Sequence, residues 1–213
     1  MCSHYESIRD ANRLLQYFGV EQPPDIYSHD VWPTYNNTFI IKPDEADVGD
    51  EAVPAWIALS GQFGLLPPWA KETTYGRRTF NARSETIDEK PSFKEAWRNG
   101  HRCIIPAEAI FEPDWRSGKA VPTRIARKDG EPMGIAGLWS TWGKGLQKID
   151  SFTMLTINAD DHPVMNQFHK PGDEKRMVVI LPKGSYRDWL AAPVNEAKEF
   201  LTQYPADRLG ISA

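Results

Sequence analysis

Between residues 7 and 18 the apolar positions recur at helical spacing: Ile8, Ala11, Leu14, Leu15 and Phe18 share one face. Ser7 stands where an N-cap belongs and Gly19 where a helix stops, so the pattern predicts a helix over 7–18. Beyond Gly19 the period changes. Residues 38–41, 55–59, 62–66, 101–105, 109–112, 123–127, 133–139, 151–158 and 177–181 are short runs rich in β-branched and aromatic residues, which predicts strands. Pro67-Pro68 ends one of them, and Asp129-Gly130 marks a turn between two others. A short helix is predicted over 92–99, closed by Gly100. Two more are predicted near the end, over 185–190 and 194–204, the last with Ala197, Phe200, Leu201 and Tyr204 on one face. Strands fill the middle and helices the ends. This pattern predicts a single α+β domain over 1–213, with mainly antiparallel, curled, barrel-like β-sheets and peripheral helices. Its core covers about 2–190, and the last helix reaches about 204.

Composition narrows the setting. A chain of 213 residues, 40% hydrophobic and with eight Trp, can bury a core without staples. No apolar run approaches the roughly 18 residues a membrane span needs. The first ten residues lack the basic-then-apolar order of a secretory signal. These features point to a cytoplasmic monomer with no membrane partner, nucleoid-associated if the host is bacterial. Cys2 and Cys103 allow one disulfide, but a reducing compartment favours two free thiols. Cys103, flanked by apolar residues, reads as a small buried hydrophobe. Histidines and cysteines are scattered without metal-ligand spacing, so neither a metal nor a cofactor is expected.

Charge is uneven. The net value is −4, yet ten acids against three bases leave residues 1–60 at −7 and the remainder at +3. Five acids fall in 44–51, which predicts an exposed loop. Arg77, Arg78, Arg83, Lys90, Lys94, Arg98 and Arg102 gather downstream, as do Arg116, Lys119, Arg124, Arg127 and Lys128. Such clusters are either ordinary solvated surface or local phosphate-binding patches.

Position 2 supplies the chemistry. Cysteine is small enough for Met1 to be removed, which leaves an α-amine and a β-thiol on one residue. Their reference pKa values are roughly 7.7–8.0 and about 8.5. Such a 1,2-aminothiol can condense with an aldehyde to a Schiff base and close to a five-membered thiazolidine. Alternatively, the amine can serve the thiol as a base, as in hydrolases with N-terminal nucleophiles.

Five separated segments carry a resemblance. They are Met1-Cys2, Phe63-Gly64-Leu65-Leu66-Pro67-Pro68-Trp69, Thr79-Phe80-Asn81-Ala82-Arg83-Ser84-Glu85-Thr86, Arg102-Cys103-Ile104-Ile105-Pro106-Ala107 running into Phe111-Glu112, and His169 followed by Arg176-Met177-Val178-Val179-Ile180-Leu181. Together they resemble the SOS-response-associated peptidase (SRAP) family, the abasic-site processing proteins. The resemblance implies covalent capture of abasic sites in single-stranded DNA through Cys2, with Asn81, Glu112 and His169 completing the active site. It further implies a DNA-damage response role, self-processing peptidase activity and a lyase-type reversal of the crosslink. Arg83 and Arg176 would hold phosphates, and Phe63 would lie beside the abasic position. Gly64, Trp69 and Arg77 complete the expected DNA-binding set.

This chain departs from the family in three places. Cys-Ser-His-Tyr lacks the phosphate-binding arginine at position 4. Pro113 replaces a Trp after Phe111-Glu112. An insertion over 170–175 separates His169 from Arg176, which leaves the arginine's role open. His162 is a rival to His169 but lies further from Arg176. In the expected mechanism His169 is the acid and Glu112 the base, while Asn81 orients the N-terminus or a sugar hydroxyl. A cysteine peptidase or amidohydrolase with an N-terminal nucleophile is the alternative, and a non-catalytic DNA reader a third reading.

Overall fold

A computed structural model describes residues 2–24, 28–43 and 54–212. The acidic segment 44–51 lies outside them. The strands are β1 (His4–Glu6), β2 (Asp30–Val31), β3 (Asn36–Ile41), β4 (Ile57–Phe63), β5 (Asn81–Arg83), β6 (Arg102–Ala107), β7 (Ala109–Asp114), β8 (Val121–Arg127), β9 (Met133–Trp142), β10 (Ile149–Asn158), β11 (Arg176–Val178), β12 (Ile180–Leu181) and β13 (Leu209–Ser212). The α-helices are α1 (Ala11–Phe18), α2 (Lys94–Arg98) and α3 (Tyr186–Ala191).

Two sheets result. One runs β13-β8-β7-β1-β2. In the other, β4, β3, β6, β9 and β10 follow one another, and β10 pairs with both β9 and β4, which closes a five-strand barrel. Most pairings are antiparallel, and the closing β4–β10 pair is parallel. Closure removes the open edges that a flat sheet of these strands would leave. Phe39, Phe63 and Phe152 fill the interior, with Phe152 5.4 Å from Phe39 and 5.6 Å from Phe63 between ring centres. Tyr5 of β1 meets Phe63 edge-on at 5.3 Å, which locks the open sheet onto the barrel. The α+β class with curled sheets is therefore what forms. Among the described residues no helix is long and apolar enough to cross a membrane.

Several boundaries move for identifiable reasons. Helix α1 starts at Ala11, because Asp10 and not Ser7 caps it: the Asp10 carboxylate accepts from the Asn12 N–H at 2.9 Å. Ser7 instead pairs with His29, its backbone N–H donating to the His29 carbonyl at 2.8 Å. Gly19 does end the helix, in the left-handed region. The runs 55–59 and 62–66 are one strand, β4, which stops at Gly64. That glycine has φ +115°, and a Cβ on it would collide with the Gly76 carbonyl, so only glycine fits. The turn at Asp129-Gly130 is present, but β8 and β9 on its two sides belong to different sheets. Residues 177–181 split into β11 on β10 and β12 on β9.

The helix expected over 194–204 shrinks to one 3-10 turn, Ala197–Phe200. Its remainder is claimed by tertiary bonds: the Tyr204 carbonyl is taken by His162 and the Gln203 side chain by Asn158 and Asp161. The chain then adds β13 to β8, a strand too short and glycine-interrupted to show in the sequence pattern.

Candidate active site

Strand pairing delivers each candidate residue. Cys2 leads into β1, whose His4, Tyr5 and Glu6 face Phe111, Ile110 and Ala109 of β7. Glu112 follows Phe111 on β7 and is buried. Asn81 begins β5, which takes over the edge of β10 where β4 leaves it, Asn81 facing Met154. His169 follows a 3-10 turn, Met165–Gln167. It is docked on the end of β7 by its own N–H to the Pro113 carbonyl at 3.0 Å and by the Phe168–Asp114 bridge.

These four residues form two contacting pairs, Asn81 with Cys2 and Glu112 with His169, and the charge of Glu112 reaches the Cys2 thiol. The Asn81 amide Nδ2 donates to the Cys2 carbonyl at 2.6 Å, while Asn81 Oδ1 is buried without a partner. The Cys2 thiol donates weakly to the His4 carbonyl at 3.4 Å. Burial first, and then the charge of Glu112, push that thiol far above its ordinary pKa. The His169 Nε2 lies 3.0 Å from Glu112 Oε2. That distance lacks the alignment of a formed hydrogen bond, and His169 Nδ1 is buried with no partner at all. His169 also holds φ +64°, a left-handed conformation unusual for histidine and worth of order 1–3 kcal/mol of strain. Unsatisfied buried polar atoms and strain in one place mark a site arranged for something it does not yet hold. Both cysteines are free thiols, and Cys103 is fully buried.

Other candidates divide by exposure. Trp69 is 51% exposed and meets Tyr75 edge-on; Arg77 and Arg78 are exposed on the following 3-10 turn, Thr73–Arg78. Arg83 is exposed and paired with Glu174 at 2.8 Å. Phe63 and Gly64 are corrections: both are interior, because Phe63 is part of the barrel's aromatic filling and Gly64 is pressed against Gly76. Arg176 is a correction too. Its guanidinium is buried, bonded to Glu85 at 2.8 and 2.9 Å, to Glu174 at 2.7 Å and to the Thr156 carbonyl at 2.7 Å. The inserted 170–175 segment supplies Glu174 to this clamp, so the arginine ties the insertion down, and its burial between two carboxylates keeps it from the surface. The rival His162 spends both ring nitrogens on backbone groups. Sequence reasoning missed the Glu85–Arg176–Glu174 clamp, and only the carboxylates near Arg176 could have hinted at it.

The fold and the cluster define a class: curled α+β domains that bring a cysteine near the chain's start against a buried carboxylate and histidine. This chain belongs to the SOS response associated peptidase (SRAP) family, whose pattern it matches over residues 1–213. It is 30% identical over 206 residues to the abasic site processing protein YoqW of Bacillus subtilis, covering 94% of this chain and 84% of that one. To YoaM of the same organism, also named an abasic site processing protein, it is 35% identical over 143 residues, 66% of this chain and 59% of YoaM. A Bordetella bronchiseptica protein of known crystal structure superposes with a TM-score of 0.89 at 47% identity, covering 99% of this chain and 98% of the other.

Proposed function

We propose that this protein captures abasic sites in single-stranded DNA as a covalent adduct on Cys2, after Met1 has been removed. The observation that carries this reading is the linked cluster Asn81–Cys2 and Glu112–His169, buried and incompletely satisfied. The relatives named as abasic site processing proteins support the substrate.

The chemistry follows from the groups present. The free amine of Cys2 attacks the C1′ aldehyde of the ring-opened deoxyribose. On addition one amine proton passes to the carbonyl oxygen, giving a carbinolamine; Glu112 then takes the second proton from nitrogen while His169 protonates the departing hydroxyl, so one water leaves and an imine forms. The thiol then adds across the C=N bond, its proton passing to nitrogen, and a thiazolidine closes. The raised thiol pKa fits this order. A buried, protonated thiol is a poor first nucleophile, whereas a neutral thiol with its proton to give suits the closing step. Asn81 is a positioning residue: it fixes the Cys2 carbonyl, and its free Oδ1 can accept from the new amine. Trp69, Arg77 and Arg78 supply the mixture of stacking surface and cations that single strands favour.

The test is a denaturing gel. Processed protein incubated with single-stranded DNA carrying one abasic site is expected to give a heat-stable shifted band that is lost in Cys2→Ala. Absence of the band with protein confirmed by mass to lack Met1 would overturn the reading.

A further inference from the structure

The outer face of the five-stranded sheet carries aromatic rings that the proposed chemistry does not use. His4 faces Phe111 across β1 and β7, and the Tyr5–Val31 pairing places Trp32, just past β2, on His4's other side. The three rings stack in register. His4 is 4.2 Å from Trp32 at an interplanar angle of 10°, and 4.1 Å from Phe111 at 11°. The polar edge of His4 is turned to Asp30, 3.4 Å away, so its contribution to the row is its flat face. Trp32 remains 44% exposed. A cavity of about 180 Å³ opens beside the stack, and its walls include Ser3, Pro113 and Glu112. Of the reacting cluster, Glu112 thus lines the same hollow as the rings.

We propose that Trp32, stiffened by His4 and Phe111, is the platform for the unpaired nucleobase next to the abasic sugar. The proposal rests on the reading of the protein as an abasic-site binder and adds the subsite that holds the neighbouring nucleotide. The occupant follows from the surface. A preformed stack of parallel rings offers a flat π face and few hydrogen-bonding groups, which suits any base and specifies none. The next position along the row, opposite Phe111, is Arg124, whose guanidinium is paired with Glu6 at 3.0 Å.

The test separates the platform from the chemistry. Binding is read by fluorescence anisotropy on labelled single strands carrying a stable tetrahydrofuran abasic analogue, with the flanking positions either normal bases or further tetrahydrofuran spacers. Wild type is expected to bind the normal flanks about tenfold more tightly, as the loss of one stacked base implies. Trp32→Ala is expected to bind both strands with the weaker affinity, and Trp32→Phe to recover most of the difference. Equal wild-type binding to the two strands overturns the platform whatever the state of the variants, and so does a Trp32→Ala protein that still discriminates tenfold. A flank effect without any adduct on a true abasic site would sink the covalent mechanism and leave the platform standing.

Discussion

His162 and His169 lie on either side of the same 3-10 turn, Met165–Gln167, and both are buried. Their surroundings are opposite. His162 Nδ1 accepts from the backbone N–H groups of Val164 and Met165 at 3.2 and 3.0 Å, and Nε2 is 2.8 Å from the Tyr204 carbonyl. In that arrangement Nδ1 accepts two backbone N–H groups while Nε2 faces the carbonyl, so both ring nitrogens are spent on backbone groups. It joins the C-terminal segment to the barrel. His169 has no aligned partner on either nitrogen, faces a buried carboxylate, and occupies a backbone conformation most residues avoid. Burial alone therefore does not identify a working histidine. Burial with unmet hydrogen-bonding capacity and local strain does.

The contrast can be broken by exchanging what each histidine is asked to do. The largest effect is expected at His169. His169→Ala should slow adduct formation on abasic single strands about 10²-fold or more, the usual worth of a placed acid, with intact-DNA binding unchanged. Equal rates in single-turnover assays would remove His169 from the mechanism. His169→Gly should lose the same rate yet unfold at higher denaturant than His169→Ala, because glycine accepts the left-handed backbone; about 1 kcal/mol is expected.

His162→Ala should do the reverse. It strands two buried N–H groups and a carbonyl, at about 1–3 kcal/mol for each group left unsatisfied, so the urea midpoint should fall markedly. The adduct rate of the folded fraction should stay within about twofold. A rate loss matching that of His169→Ala would mean that the two rings work together.

Arg176 offers a second contrast, since it too is buried, and both of its terminal guanidinium nitrogens are bonded to neighbouring carboxylates. Its hydrogen bonds hold the Glu174 carboxyl below the usual carboxylate range; on Glu85 burial is the largest influence and raises the carboxyl, but Arg176 and backbone hydrogen bonds together bring it below that range as well. A carboxyl depressed in the folded state contributes stability that is fully present above its ordinary value near 4.5 and is lost as pH falls through the lowered value. Wild type should therefore lose stability on acidification below about pH 5. Arg176→Met should be less stable at neutral pH and should show a flatter acid limb in denaturant titrations. An unchanged acid limb would show that the clamp does not govern this window.

The sequence made some of this plain and left the rest hidden. The β-branched runs gave most of the strands, because alternation and turn residues are local signals. The barrel's closure was not legible, since it depends on β10 pairing with strands far apart in the chain. Asp10 rather than Ser7 caps α1 because Ser7 is drawn to His29, a contact made only on folding. At the site, Cys2, Asn81, Glu112 and His169 were legible through their motifs, and the fold brings them into one cluster. Phe63 and Arg176 carried motif positions without surface access, which no motif reports. The Trp32–His4–Phe111 row was invisible because its members meet only through the register of three strands.

The account depends most on the amine and thiol of Cys2 acting together. The direct measurement compares wild type with Cys2→Ser, both confirmed to lack Met1, on abasic single-stranded DNA, with adducts scored after heating in denaturant with and without borohydride. Wild type should give a heat-stable adduct without reductant. Cys2→Ser, which keeps the amine but loses the thiol, should give one only after borohydride has reduced the imine. A Cys2→Ser adduct that survives heating unreduced would contradict thiazolidine formation and with it the central claim.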